Sequence, residues 1–245
     1  MQPFDTTANS HIFSLLNELA ILLPVFLIVF TVRGFTQALL ARLMGDRTAQ
    51  RQGFLTLNPL AHVDLPGILI TLLVMFGLGV MFVNYVPRAL FFIVIILLGV
   101  RWSYPVPIDE SEFKQYRLGG FLTTMAGPLG NFLCAFISFP ILKFILMGAL
   151  PAYMTVTFVE LVRTLIDVSL FFCVLDLIPI PPFNAGRALK YILPRSAQGV
   201  LEKLEFYSIF IFLFLILMPG VSDVFFGIVH FSVIMLKQML LRLFF

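Results

Sequence analysis

FLTTMAGPLGNFLCAFISFPILKFILMGAL, residues 121–150, is a thirty-residue run with a single charged side chain, Lys143. A helix needs about twenty predominantly apolar residues to cross the hydrocarbon core of a bilayer. This run exceeds that length, and it opens with small residues that let helices approach closely. It predicts a membrane-spanning helix. Working outward, similar runs lie at 19–44, 66–83, 153–178, 206–218 and 221–245, and a short apolar run lies at 88–100. The run at 88–100 reads either as a tilted span or as a re-entrant arm. The expected fold is all-α: a polytopic transmembrane bundle of about six spans.

The composition agrees. Hydrophobic residues make up 60% of the 245, charged residues 12%, and there are 29 Phe. The mean hydropathy is +1.03. Soluble domains carry about twice that share of charge. The net charge of +3 is mild, and no basic run is long enough for nucleic acid. The connections 45–64 and 186–203 are net basic, which places both on the cytoplasmic side. The first apolar run lacks a basic leader and a small-residue cleavage site, so it reads as a retained span. Cys134 and Cys173 lie inside apolar runs and read as small buried hydrophobes rather than a disulfide or metal pair.

Four segments are more specific than hydropathy. They are GDRT (45–48) with QGFLTLNPLAHVDLPG (52–67), WSYPVP (102–107), MAGPLGNF (125–132) and LIPIPPFNAGR (177–187). In order and spacing they resemble the site-2 protease family of intramembrane zinc metalloproteases, in its compact bacterial branch without a PDZ domain. The resemblance covers about residues 29–193. It implies one membrane domain over 1–245, with a site-2-protease-like core at about 29–193 and C-terminal transmembrane helices at about 204–245. It also implies an integral membrane protein of the bacterial inner membrane.

The family's chemistry uses zinc held by His-Glu-x-x-His on a helix and an Asp from a Pro-rich loop, with the Glu as general base. This chain departs at each position. Counted back from Gly45-Asp46, Arg33 stands for the first His, Gly34 for the Glu and Gln37 for the second His; Asn184 stands for the loop Asp. Arg has no lone pair for a metal and Gly34 has no side chain to act as a base. Amide oxygens suit hard cations better than zinc. The other histidines, His11, His62 and His230, do not rebuild a helical pair.

The resemblance therefore implies a scaffold without its cofactor: no zinc is expected, and no intact catalytic residue. The expected function is a pseudoprotease that binds or regulates a transmembrane segment of another membrane protein, with the lipid bilayer as its medium. The expected cavity residues are Asn58, His62, Gly127, Pro128, Asn131, Asp176, Pro181 and Pro182. Two alternatives stay open: an active metalloprotease with displaced ligands, and a transporter or channel using the polar cavity, for which a broken helix at Gly127-Pro128 would be apt. An ionisable residue inside a span marks a functional position. Asp176 stands where the family has Asn, so an Arg33–Asp176 ion pair is expected to fill the metal's place, against the plainer reading that Arg33 reaches water.

Overall fold

The structure is a computed structural model, and it describes residues 6–64, 66–67, 103–218 and 220–245. The expected spans at 66–83 and 88–100 fall, apart from the first two residues, outside the described residues, as does Trp102. The described residues form helices joined by short turns, with one isolated antiparallel bridge between Val63 and Ser103. The helices are α1 (Thr6–Met44), α2 (Thr48–Arg51), α3 (Tyr116–Phe144), α4 (Ala152–Asp176), α5 (Asn184–Ile192), α6 (Arg195–Phe206), α7 (Ser208–Leu217) and α8 (Val221–Phe244).

Three helical stretches are long and apolar enough to cross a membrane: Ala20–Met44, Tyr116–Ala149 and Val221–Phe244. The second begins five residues before the expected 121 and ends in a π-helical turn at Ile145–Ala149. α4 is as long as the first, but Glu160, Arg163 and Asp167 punctuate it. The expected span at 206–218 is shorter than a crossing: the chain turns at Tyr207 and α7 holds only ten residues, about 15 Å at the α-helical rise.

α3 is the central post. It packs against α1, α4, α5 and α8. Against α4 and α8 the contact is aromatic and aliphatic: Phe139 is fully buried among Ala135, Val162, Ile166, Leu170 and Leu240 and stacks on Phe244. Against α1 the contact is a close backbone approach. A Cβ placed on Gly130 would lie 2.7 Å from Thr36 Oγ1 and 3.2 Å from the Val32 carbonyl oxygen. Lipid tails are as apolar as the helices, so such interlocking, rather than escape from water, holds membrane helices together.

The break expected at Gly127-Pro128 is absent. α3 runs through Pro128 and again through Pro140 as one helix. Packing from several sides compensates the backbone bonds that proline removes.

Gly130→Leu should therefore wedge α1 from α3 and cost about 1–3 kcal/mol, the usual range for overpacking. Gly227→Ala on α8, which meets nothing within 4 Å, should leave stability unchanged. Thermal unfolding of the purified protein in detergent reads both, and an unshifted midpoint for Gly130→Leu would contradict the crossing.

Candidate functional site

The four degenerate positions come together. Arg33, Gly34 and Gln37 occupy one stretch of α1, and α5 delivers Asn184 from the other side of a cavity of about 500 Å³. The chain reaches α5 through Ile178–Phe183, whose Pro181–Pro182 bond is cis. Pro cannot continue α4, so α4 ends at Asp176 and the chain turns back to start α5 at Asn184.

The ion pair is present. Arg33 Nη2 donates to Asp176 Oδ1 at 3.1 Å and lies 3.1 Å from Oδ2. The Asp176 side chain is 7% exposed and that of Arg33 26%. The carboxylate is thus sealed at the helix end while the guanidinium keeps one side open to the cavity. The backbone N–H of Asn184, at the start of α5, also faces the Asp176 carboxylate. A helix N-terminus favours negative charge, so α5 and Arg33 stabilise the same anion from two directions.

Gly127 backs this arrangement. A Cβ there would sit 2.4 Å from Asn184 Nδ2 and 3.3 Å from Arg33 Nε. Only glycine lets α3 lie flat beneath both groups. Asn184 is buried, and its Nδ2 has no hydrogen-bond partner among the described residues.

Gly34 has an equally specific neighbour. A Cβ at 34 would fall 2.2 Å from His62 Nδ1. The imidazole therefore fills the volume that any side chain at this position would need. His62 is held there by its Nε2, 2.8 Å from the Thr56 carbonyl oxygen, and by the Phe54 ring packed edge-on. It stands behind the cavity wall rather than on it.

Several expected cavity residues do other work. Asn58 is exposed and caps the turn Pro59–Ala61, its Oδ1 accepting from the Leu60 N–H at 3.1 Å. Asn131 is fully buried within α3, with neither amide atom partnered among the described residues. Pro128, Pro181 and Pro182 are not among the cavity-lining residues, and Pro182 is exposed.

The rim holds residues that the motifs do not mark. Tyr104, Glu110, Thr124, Arg187, Lys190 and Tyr191 all line the cavity. Arg187 and Lys190 sit three apart on the strongly amphipathic α5, the one sequence signal available for them. Glu110 Oε1 accepts from Lys190 Nζ and from Tyr191 Oη. Burial would raise the Glu110 carboxyl, but the Lys190 and Tyr191 hydrogen bonds outweigh it and hold the group below the usual glutamate range. Burial, then the bond to Glu110, pushes the Tyr191 hydroxyl up to about 12. With the folded-state value depressed, the Glu110 contribution is complete above the ordinary glutamate pKa and is lost as pH falls through the lower folded value. Asp46, fully buried after α1, ties the same loop down by accepting from the Thr48 N–H at 2.7 Å and the Asp109 N–H at 2.9 Å.

This donor set does not fit zinc. A guanidinium, a glycine and two amides replace two imidazoles, a carboxylate base and a carboxylate ligand. Among the described residues, no three His, Cys, Asp or Glu side chains gather as a metal would require.

Comparison with known proteins gives one relative. Over 202 residues, covering 81% of this chain and 80% of the relative, the chain is 29% identical to the protein named "Putative zinc metalloprotease YwhC" of Bacillus subtilis (strain 168). No protein-family model matches the chain, and no solved structure matches it. The chain is thus similar to a protein named as a zinc metalloprotease, while its own cavity carries the chemistry of an ion pair and amides.

Removing one partner of a buried pair leaves an uncompensated charge and costs about 3–5 kcal/mol. Asp176→Asn and Arg33→Asp should each lower folded yield and unfolding temperature, and Arg33→Asp with Asp176→Arg should recover part of both. No recovery in the double variant would show that the two groups are not coupled.

Proposed function

We propose that this chain is a catalytically silent, multi-pass relative of the site-2 proteases, seated in a bacterial inner membrane, which holds a transmembrane segment of another protein without cutting it. The observation that carries the reading is the convergence of Arg33, Gly34, Gln37 and Asn184 on one cavity, with Arg33 neutralised by Asp176. The motif spacing assigns the zinc site to those positions, and the side chains there neither ligate zinc nor activate water. The likeness to a protein named as a zinc metalloprotease supports the scaffold.

The cavity is suited to a polypeptide. Its open side of Arg33 and the unpartnered amide of Asn184 are donors that await an acceptor, and backbone carbonyls freed from a helix are acceptors. Phe30, Val106 and Ile108 supply apolar wall. The transporter reading loses its main support, because α3 is unbroken at Gly127-Pro128.

A photo-crosslinking residue at position 37 tests this. In native membranes it should capture a membrane polypeptide at full length, and the same residue at exposed Gly227 should not. Fragments of the captured protein that appear only when this chain is present would show cleavage and overturn the reading, as would equal capture at both positions.

A further inference from the structure

α4 carries a charged face that the described part of the chain leaves open. Tyr153, Val156, Thr157, Glu160, Arg163 and Asp167 are all exposed and recur at three- and four-residue spacing, so they share one side of the helix. The opposite side, with Val162, Ile166 and Leu170, is buried against α3 and α8.

The depth of this face follows from its neighbours. Lys143, near the end of α3, donates to the Phe244 carbonyl at the end of α8, and α4 starts just beyond that level, at Ala152. Glu160 and Arg163 then lie about 12 and 16 Å along α4. Val162, between them, packs with Phe139 in the apolar middle of α3. If α3 and α8 cross the bilayer, both charges stand within the hydrocarbon.

Charges at such depth pair with one another or face a protein surface. The chain does this twice with its own helices: Arg33 with Asp176, and Lys237 of α8 with Asp167 on the edge of this same face. Glu160 and Arg163 form no ion pair or side-chain hydrogen bond among the described residues. They are opposite in sign and one turn apart. A face with that property is its own complement, which is the requirement for a two-fold interface.

We propose that the exposed face of α4 is the contact between two copies of this chain, with Glu160 of each copy paired to Arg163 of the other. The two-fold axis runs along the membrane normal, so the two α4 helices lie parallel and both ion pairs form at once. Val156, 73% exposed, and Tyr153 flank the pairs and supply packing. The proposal rests on the membrane placement given above but not on the loss of catalysis.

The test is cysteine cross-linking at position 156 in native membranes; Cys134 and Cys173 are both buried. Val156→Cys should give a band of twice the chain mass on oxidation. Adding Glu160→Arg or Arg163→Glu should weaken it at least about tenfold, the scale of one or two interhelical polar contacts. Co-expressing the two single-swap chains should restore it, because one copy then offers only cations and the other only anions at these positions. That rescue also excludes misfolding of either chain. A monomer in the unmodified membrane, cross-linking indifferent to the swaps, failure of the mixed pair, or capture of a different polypeptide at position 156 would each overturn the proposal. Resistance of the chain to alkaline extraction reports the membrane placement separately.

Discussion

A guanidinium midway along a membrane-crossing helix has to be neutralised, and much of the site's architecture follows from how Arg33 meets that demand. Its partner, Asp176, is the last residue of α4, where the Pro-rich turn ends one helix and starts the next. The Asn184 N–H at the head of α5 meets the same carboxylate. Gly127 keeps α3 low enough for Arg33 and Asn184 to lie across it. Three helices and a turn are thus fitted around one ion pair. The cost of breaking it would be high because each half would be left charged at low dielectric.

The neighbouring substitutions are coupled to one another in the same way. Gly34 and His62 form a matched set: the imidazole occupies the space a side chain at 34 would need. Reinstating a glutamate at 34 therefore requires more than one change, because His62 would have to leave. The loss of metal chemistry is not four independent replacements on an otherwise unaltered frame. The interior has been refilled by groups that suit each other, and the rim is fastened by Asp46 and by the Glu110–Lys190–Tyr191 cluster.

Much of this was legible in the residues. Hydropathy marks the stretches that become α1, α3 and α8, and motif spacing assigns Arg33, Gly34, Gln37 and Asn184 to one site, where the fold brings them together. The Arg33–Asp176 pair was legible because two charge changes of opposite sign fall on neighbouring family positions. Other features depend on tertiary contacts that no local pattern carries. Pro128 suggests a broken helix, yet packing on several sides keeps α3 continuous. Asn58 belongs to a shared motif but spends its side chain on a local cap. Tyr104 and Glu110 reach the cavity only because the loop before α3 is pinned by Asp46. Ten apolar residues in α7 are too few to cross, since Tyr207 interrupts a run that hydropathy reads as continuous.

The most direct measurement is the zinc content of the detergent-purified protein, read by elemental mass spectrometry beside a variant carrying Arg33→His, Gly34→Glu, Gln37→His, Asn184→Asp and His62→Ala. The account predicts zinc far below one ion per chain in the unmodified protein and a clear gain in the variant, whose cavity has both the ligands and the space for them. One zinc ion per unmodified chain would contradict the claim that an ion pair stands in the place of the metal.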